Sequence, residues 1–120
     1  MKGDVMEFVG KTVIVTGAGA GIGRATAMLF AERGANVVVN ALPGEADGGP
    51  ETVDLINARG GRAVFAPGNV ADPDDCERVV DAAVAEYGRL DVLVNNAGVT
   101  RDGLLPQLSE AALDEVLGVN

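Results

Sequence analysis

The run Thr16-Gly17-Ala18-Gly19-Ala20-Gly21-Ile22-Gly23 holds the residue types and spacing that point most directly to chemistry. It follows an apolar stretch, Thr12 to Val15, that reads as a strand, and it precedes Arg24 to Arg33, which reads as a helix. Strand, glycine-rich turn and helix start together make a receptor for phosphate. The first N–H groups of a helix have no partner inside it, and they add to a macrodipole of roughly +0.5 charge. Glycines let a pyrophosphate approach that backbone with no Cβ in the way. Spacing excludes two kinds of phosphate loop. A Walker loop needs Gly-x-x-x-x-Gly-Lys-Ser/Thr, and here Gly23 is followed by Arg24. The pattern Gly-x-Gly-x-x-Gly also fails: begun at Gly17 it ends on Ile22, and begun at Gly19 it ends on Arg24. The pattern that fits is Thr-Gly-x-x-x-Gly-x-Gly over Thr16, Gly17, Gly21 and Gly23.

The elements that must position this turn alternate strand and helix. Strands are expected at Thr12–Thr16, Asn36–Asn40, Arg62–Ala66 and Asp91–Asn95. The first helix runs from Gly21 to Arg33 with an apolar stripe of Ile22, Ala25, Leu29 and Phe30, and Gly34 suits its C-terminal turn. After a polar loop from Leu42 to Gly49, Pro50 opens a helix that ends at Gly60-Gly61. Asp72-Pro73-Asp74-Asp75 is a helix start, with an N-cap acid, proline at the first helical position and further acid in the first turn. That helix places Cys76, Val79, Val80, Ala83, Val84 and Tyr87 on one side, and Gly88 closes it. Ser109 caps a last helix bearing Leu113, Val116 and Leu117. Short, continuously apolar strands between helices indicate an α/β fold: a Rossmann-type parallel sheet, order 3-2-1-4, with helices on both faces.

Composition narrows the classes further. A chain of 120 residues suits one domain, residues 1–120, and 48% apolar but only 3% aromatic residues means a core of Val, Leu, Ile and Ala. The net charge of −9 comes with no basic stripe, which argues against nucleic acid as a partner. No apolar run reaches the ~18 residues a membrane span needs. Lys2 is followed by acidic and polar residues, so no signal peptide is expected and a cytoplasmic location is. Cys76 is the lone cysteine and reads as a small core residue. No metal-ligand pattern stands out.

The Thr16–Gly23 spacing and the later run Asp91-Val92-Leu93-Val94-Asn95-Asn96-Ala97-Gly98 together resemble the short-chain dehydrogenase/reductase family. Val99-Thr100-Arg101-Asp102-Gly103-Leu104-Leu105 extends the likeness toward the 3-oxoacyl-carrier-protein reductase and 3-hydroxyacyl-CoA dehydrogenase branch, and Thr16 to Asn40 also looks like the dehydrogenase domain of peroxisomal multifunctional enzymes. The resemblance implies that Gly17, Gly21, Ile22 and Gly23 surround the cofactor pyrophosphate, and that Thr16 braces the first strand against the Asn-Asn-Ala-Gly segment. It implies that Asn69 and Val70 contact adenine, and that Asn95, Ala97 and Gly98 lie beside the adenosine ribose and behind the nicotinamide. Strand-end capping is a second role open to Asn95 and Asn96. Asn40 and Ala41 stand where the 2′ position of the ribose is read. Ala41 replaces the acid that favours NAD(H), which tilts the expectation slightly toward NADP(H). No lysine or arginine follows it nearby, however, and Glu45 and Asp47 oppose a phosphate. Arg24 is adjacent, and its side chain either reaches the site or is simply solvated.

The implied chemistry is hydride transfer at a carbonyl or hydroxyl carbon, of a ketone, an alcohol or a 3-oxoacyl or 3-hydroxyacyl thioester, by a homo-oligomer (dimer or tetramer). In the family a tyrosine, its pKa lowered by a lysine in Tyr-x-x-x-Lys, works as acid and base, and a serine orients the substrate. Here the one tyrosine, Tyr87, is followed at that spacing by Asp91, the lysines are Lys2 and Lys11, and Ser109 reads as a cap. Asn120 aligns with the asparagine of the family's proton relay, and the sequence stops there. Relative to the family's seven-stranded sheet the fold is expected to be truncated. The chain is therefore read as the cofactor-binding half of an oxidoreductase, inactive alone and prone to self-association through the fourth strand's open edge. The alternative is a nucleotide-binding or assembly module without turnover.

Overall fold

The computed structural model describes residues 7–44 and 47–97. Four strands form one parallel sheet in the order β3-β2-β1-β4. They are β1 (Thr12–Val15), β2 (Asn36–Val39), β3 (Arg62–Phe65) and β4 (Val92–Val94), each ending one residue before the sequence expectation. In register, Val13 faces Val37 and Val92, and Val15 faces Val39 and Val94. Alternation along the strands divides the core in two. Val13, Val15, Val37 and Val39 point to α1 (Gly21–Glu32) and α2 (Gly49–Ala58), where Ala27, Ala31 and Ile56 meet them. Ile14 and Val38 point to the opposite face, where α3 (Pro73–Tyr87) supplies Val79, Val80 and Ala83. The strand residues 13–15 and 37–39 are wholly buried. Full burial of each such side chain is worth about 1.5–3 kcal/mol.

The helix ends follow the sequence signals. Asp72 caps α3 by accepting from the Asp74 N–H at 2.9 Å, Pro73 opens it, and Gly88 closes it at φ 80°. The apolar stripe expected on α1 is wrong. The buried face is Gly23, Ala27 and Ala31, whereas Ile22 is 78% exposed and Leu29 48%. Small residues at that spacing let the helix axis lie close over the valines of β1 and β2, so side-chain volume decides which face turns inward. Phe30 is half-buried and packs edge-on to Phe8 at 5.0 Å. Val84 is likewise corrected: it is exposed, at the margin of the α3 face. The helix expected after Ser109, with Leu113, Val116 and Leu117, lies outside the described residues.

Candidate functional site

The turn sits at the C-terminal end of β1, the edge at which open parallel sheets place their ligands. Its shape depends on glycine, at Gly17 and Gly23 among other positions. Gly17 has φ +61°, and a Cβ there would press within 3.1 Å on Ala97 and on the Asn96 amide. Gly23 lies against the Gly17 carbonyl so closely that any Cβ would run into it. The helix that follows has no side-chain cap at Ala20 and no acid in its first turn. By contrast α3 has both. The first amides of α1 are therefore left to an external anion, with the positive end of the helix dipole behind them.

Thr16 holds the two sequence motifs together. Its hydroxyl accepts from the Ala97 N–H at 2.9 Å and donates to the Val94 carbonyl at 3.3 Å, while its own N–H donates to the same carbonyl at 3.1 Å. The Asn96 amide donates to the Gly17 carbonyl at 3.1 Å. Asn95 is half-buried and is not without a partner. Gly98 and Asn120 lie outside the described residues.

At the end of β2 the structure directs Asn40 inward. Its side chain is buried and its amide donates to the Ala66 and Gly68 carbonyls at 3.0 and 3.2 Å, so it ties β2 to the chain leaving β3. Ala41 is also buried, and its carbonyl accepts from the Gly68 N–H at 3.0 Å. Asn69 is exposed, and its amide oxygen closes a turn on the Ala71 N–H at 3.0 Å. Val70 packs its side chain in the cluster of Ile14 and Val79. Asp75 accepts from the Asn69 N–H and pairs with Arg78. Those two contacts, the Asn69 N–H first, hold the Asp75 carboxyl below the usual range.

Arg24, for which a solvated side chain was one expectation, is half-buried and bonded to its neighbours. Its Nε donates to the Thr52 hydroxyl at 2.8 Å, and its Nη2 to the Gly19 carbonyl at 2.6 Å and to Glu51 at 3.0 Å. Sequence reading missed Thr52 altogether, since its partner on the turn, the Ala18 carbonyl, lies 34 residues away. Tyr87 is half-buried beside the α3 face, and burial, then Glu86, pushes its phenol up rather than down. Burial likewise raises the Cys76 thiol. Among the described residues, no cluster of three His, Cys, Asp or Glu could hold a metal ion, and no helix is long and apolar enough to cross a membrane.

Known proteins agree with this geometry. The family model described as short chain dehydrogenase matches residues 11–120. An uncharacterized oxidoreductase of Thermotoga maritima is 48% identical over 115 residues, 96% of this chain and 44% of the relative. The 3-oxoacyl-[acyl-carrier-protein] reductase FabG of the same organism is 42% identical over 123 residues, 96% of this chain and 46% of the relative. A solved short chain dehydrogenase from Mycobacterium avium superposes with a TM-score of 0.72 at 47% identity, over 93% of this chain and 42% of that one. The chain thus spans a little under half the length of these relatives.

Proposed function

The chain belongs to the short-chain dehydrogenase family, and on that footing we propose that it is the cofactor-binding half of an NAD(P)-dependent oxidoreductase acting on a carbonyl or hydroxyl carbon. The observation that carries this is the uncapped N-terminus of α1 behind a turn in which Gly17, Gly19 and Gly23 have no room for a Cβ and Gly21, at φ +57°, opens onto free space. A dinucleotide pyrophosphate fits there: the first amides of α1 offer N–H groups, and the helix dipole favours the negative charge. The bound nicotinamide supplies hydride transfer. This chain's residues orient it: Thr16 and Asn96 fix the β4 end against the turn, and Ala41, Asn69 and the Val70 backbone border the adenosine side.

Similarity to a 3-oxoacyl reductase supports a 3-oxoacyl or 3-hydroxyacyl thioester as substrate. NADP(H) is slightly preferred over NAD(H), because Ala41 carries no carboxylate to repel a 2′-phosphate. A cytoplasmic homo-oligomer completes the proposal. The 120 residues alone are expected to be inactive. Their single tyrosine is a packed phenol with a raised pKa, the opposite of what a general acid/base requires. That same tyrosine favours, as a second reading, a module that binds nucleotide without turnover. Calorimetric titration with NADP+ and NAD+ tests the binding, and NADPH consumption with an acetoacetyl thioester tests the turnover. Binding without consumption is expected. No heat with either cofactor at millimolar concentration refutes a preformed site, and turnover by this chain refutes its inactivity.

A further inference from the structure

Arg24 follows the last glycine of the turn, yet its side chain reaches back over the turn to α2. The partners form one connected cluster. Thr52, wholly buried, has the Ala18 carbonyl at 2.8 Å and the Gly48 carbonyl at 3.1 Å as acceptors, and it accepts from Arg24 Nε at 2.8 Å. Arg24 Nη2 donates to the Gly19 carbonyl at 2.6 Å and to Glu51 at 3.0 Å. Beneath the guanidinium the two backbones touch: a Cβ on Gly19 would enter the Asp47 carbonyl, and a Cβ on Gly48 would enter the Gly19 carbonyl. The cluster therefore joins the glycine turn, which faces the pyrophosphate on the dinucleotide reading, to the β2–α2 connection, which leads away from the ribose position at Ala41.

We propose that Arg24, acting with Thr52, is a positioning residue that fixes the spacing of these two subsites, and that it sets affinity for both dinucleotides by holding the turn rather than by pairing with a cofactor phosphate. The proposal rests on the dinucleotide reading above. Its chemistry is that of a planar fork. One guanidinium serves Thr52 through Nε and, through Nη2, the Gly19 carbonyl and Glu51, with the Gly48 carbonyl a longer third contact at 3.4 Å. A lysine ammonium, a point charge on a flexible stem, does not hold that geometry. Glu51 is 68% exposed on its side chain, so the ion pair itself is the weaker part, and the two carbonyls and the buried hydroxyl carry the clamp.

The test is calorimetric titration of the 120-residue chain with NAD+ and with NADP+, below the melting temperature and with circular dichroism confirming the fold. Arg24→Ala and Thr52→Val are each expected to weaken both cofactors by the same factor, about 10-fold. Thr52→Ser, which keeps the hydroxyl, restores wild-type affinity, and Arg24→Lys behaves like Arg24→Ala. A role confined to stability would lower Tm and leave the affinity of the folded protein alone, which overturns the proposal. A loss confined to NADP+ overturns it as well, since Arg24 would then meet the 2′-phosphate directly. Should Arg24→Ala not fold, the Thr52→Val and Thr52→Ser pair decides the matter. Wild-type chain that binds neither cofactor refutes the dinucleotide reading itself, and this proposal with it.

Discussion

The two threonines flanking the core of β1 invite one substitution with opposite outcomes. Thr12 and Thr16 are both buried, 0% and 1% exposed, and both turn toward the α3 face. The Thr16 hydroxyl accepts from the Ala97 N–H at 2.9 Å and donates to Val94. The Thr12 hydroxyl is buried without a hydrogen-bond partner among the described residues, although its backbone N–H is served by Asp91 at 2.8 Å. Valine has nearly the same shape, so neither change opens a cavity, and the difference reports polar satisfaction alone. Thr16→Val strands a partly buried N–H and removes a long second bond, at a cost of about 2 kcal/mol. Thr12→Val removes a desolvated hydroxyl that has no compensation, and it should stabilise by about 1 kcal/mol. The gap of about 3 kcal/mol corresponds to about 1–3 M in the urea midpoint at the m-values of small domains. Thr16→Ser, which keeps the hydroxyl and loses a methyl, should cost about 1 kcal/mol and serves as control. Equal shifts for Thr12→Val and Thr16→Val, or a stabilising Thr16→Val, would refute the reasoning.

Two further expectations concern the margins of the sheet. The Arg89 hydrogen bond is the main cause that holds the Asp91 carboxyl below the ordinary carboxylate value; partial burial opposes it, and the Thr12 N–H adds a lesser lowering. A depressed folded pKa means stability that is present above the unfolded value of about 3.9 and lost as pH falls through the folded one. Urea midpoints should therefore drop below about pH 4 in the wild type, and Asp91→Asn should flatten that drop; an unchanged slope would remove Asp91 from the account. At the opposite edge, the Asn57 amide donates to the Ala63 carbonyl at 3.3 Å while its oxygen accepts from the Ala63 N–H at 3.0 Å. The side chain thus stands in for a neighbouring strand on β3. Asn57→Ala should cost about 1 kcal/mol and raise the fraction of larger species in size-exclusion chromatography, because it uncovers a strand edge; a variant as monodisperse as the wild type would show that the edge is protected in another way.

The sheet order, the strand and helix positions and the turn were legible because each rests on a local pattern. A Val-Val-Val strand, an Asp-Pro helix start and glycines at fixed spacing act within a few residues. Where volume had to be weighed against hydrophobicity, local pattern misled. Ile22 and Leu29 look like core residues, and the core took Gly23, Ala27 and Ala31 because the helix lies close to the valines beneath it. Nor does local pattern announce that the Asn40 amide donates to the Ala66 and Gly68 carbonyls, or that the Asn69 oxygen accepts from the Ala71 N–H.

The sequence by itself determined that strand, turn and helix would present bare amides to an anion, since glycine spacing and the lack of an acid in the first turn of α1 are properties of consecutive residues. Only the tertiary structure decided how that turn is held. Thr16 finds Val94 and Ala97 about 80 residues on, and Arg24 finds Thr52 across 28. No spacing along the chain encodes such partners. They exist because parallel crossovers return distant segments to one end of the sheet, where a hydroxyl and a guanidinium each meet partly or wholly buried polar partners.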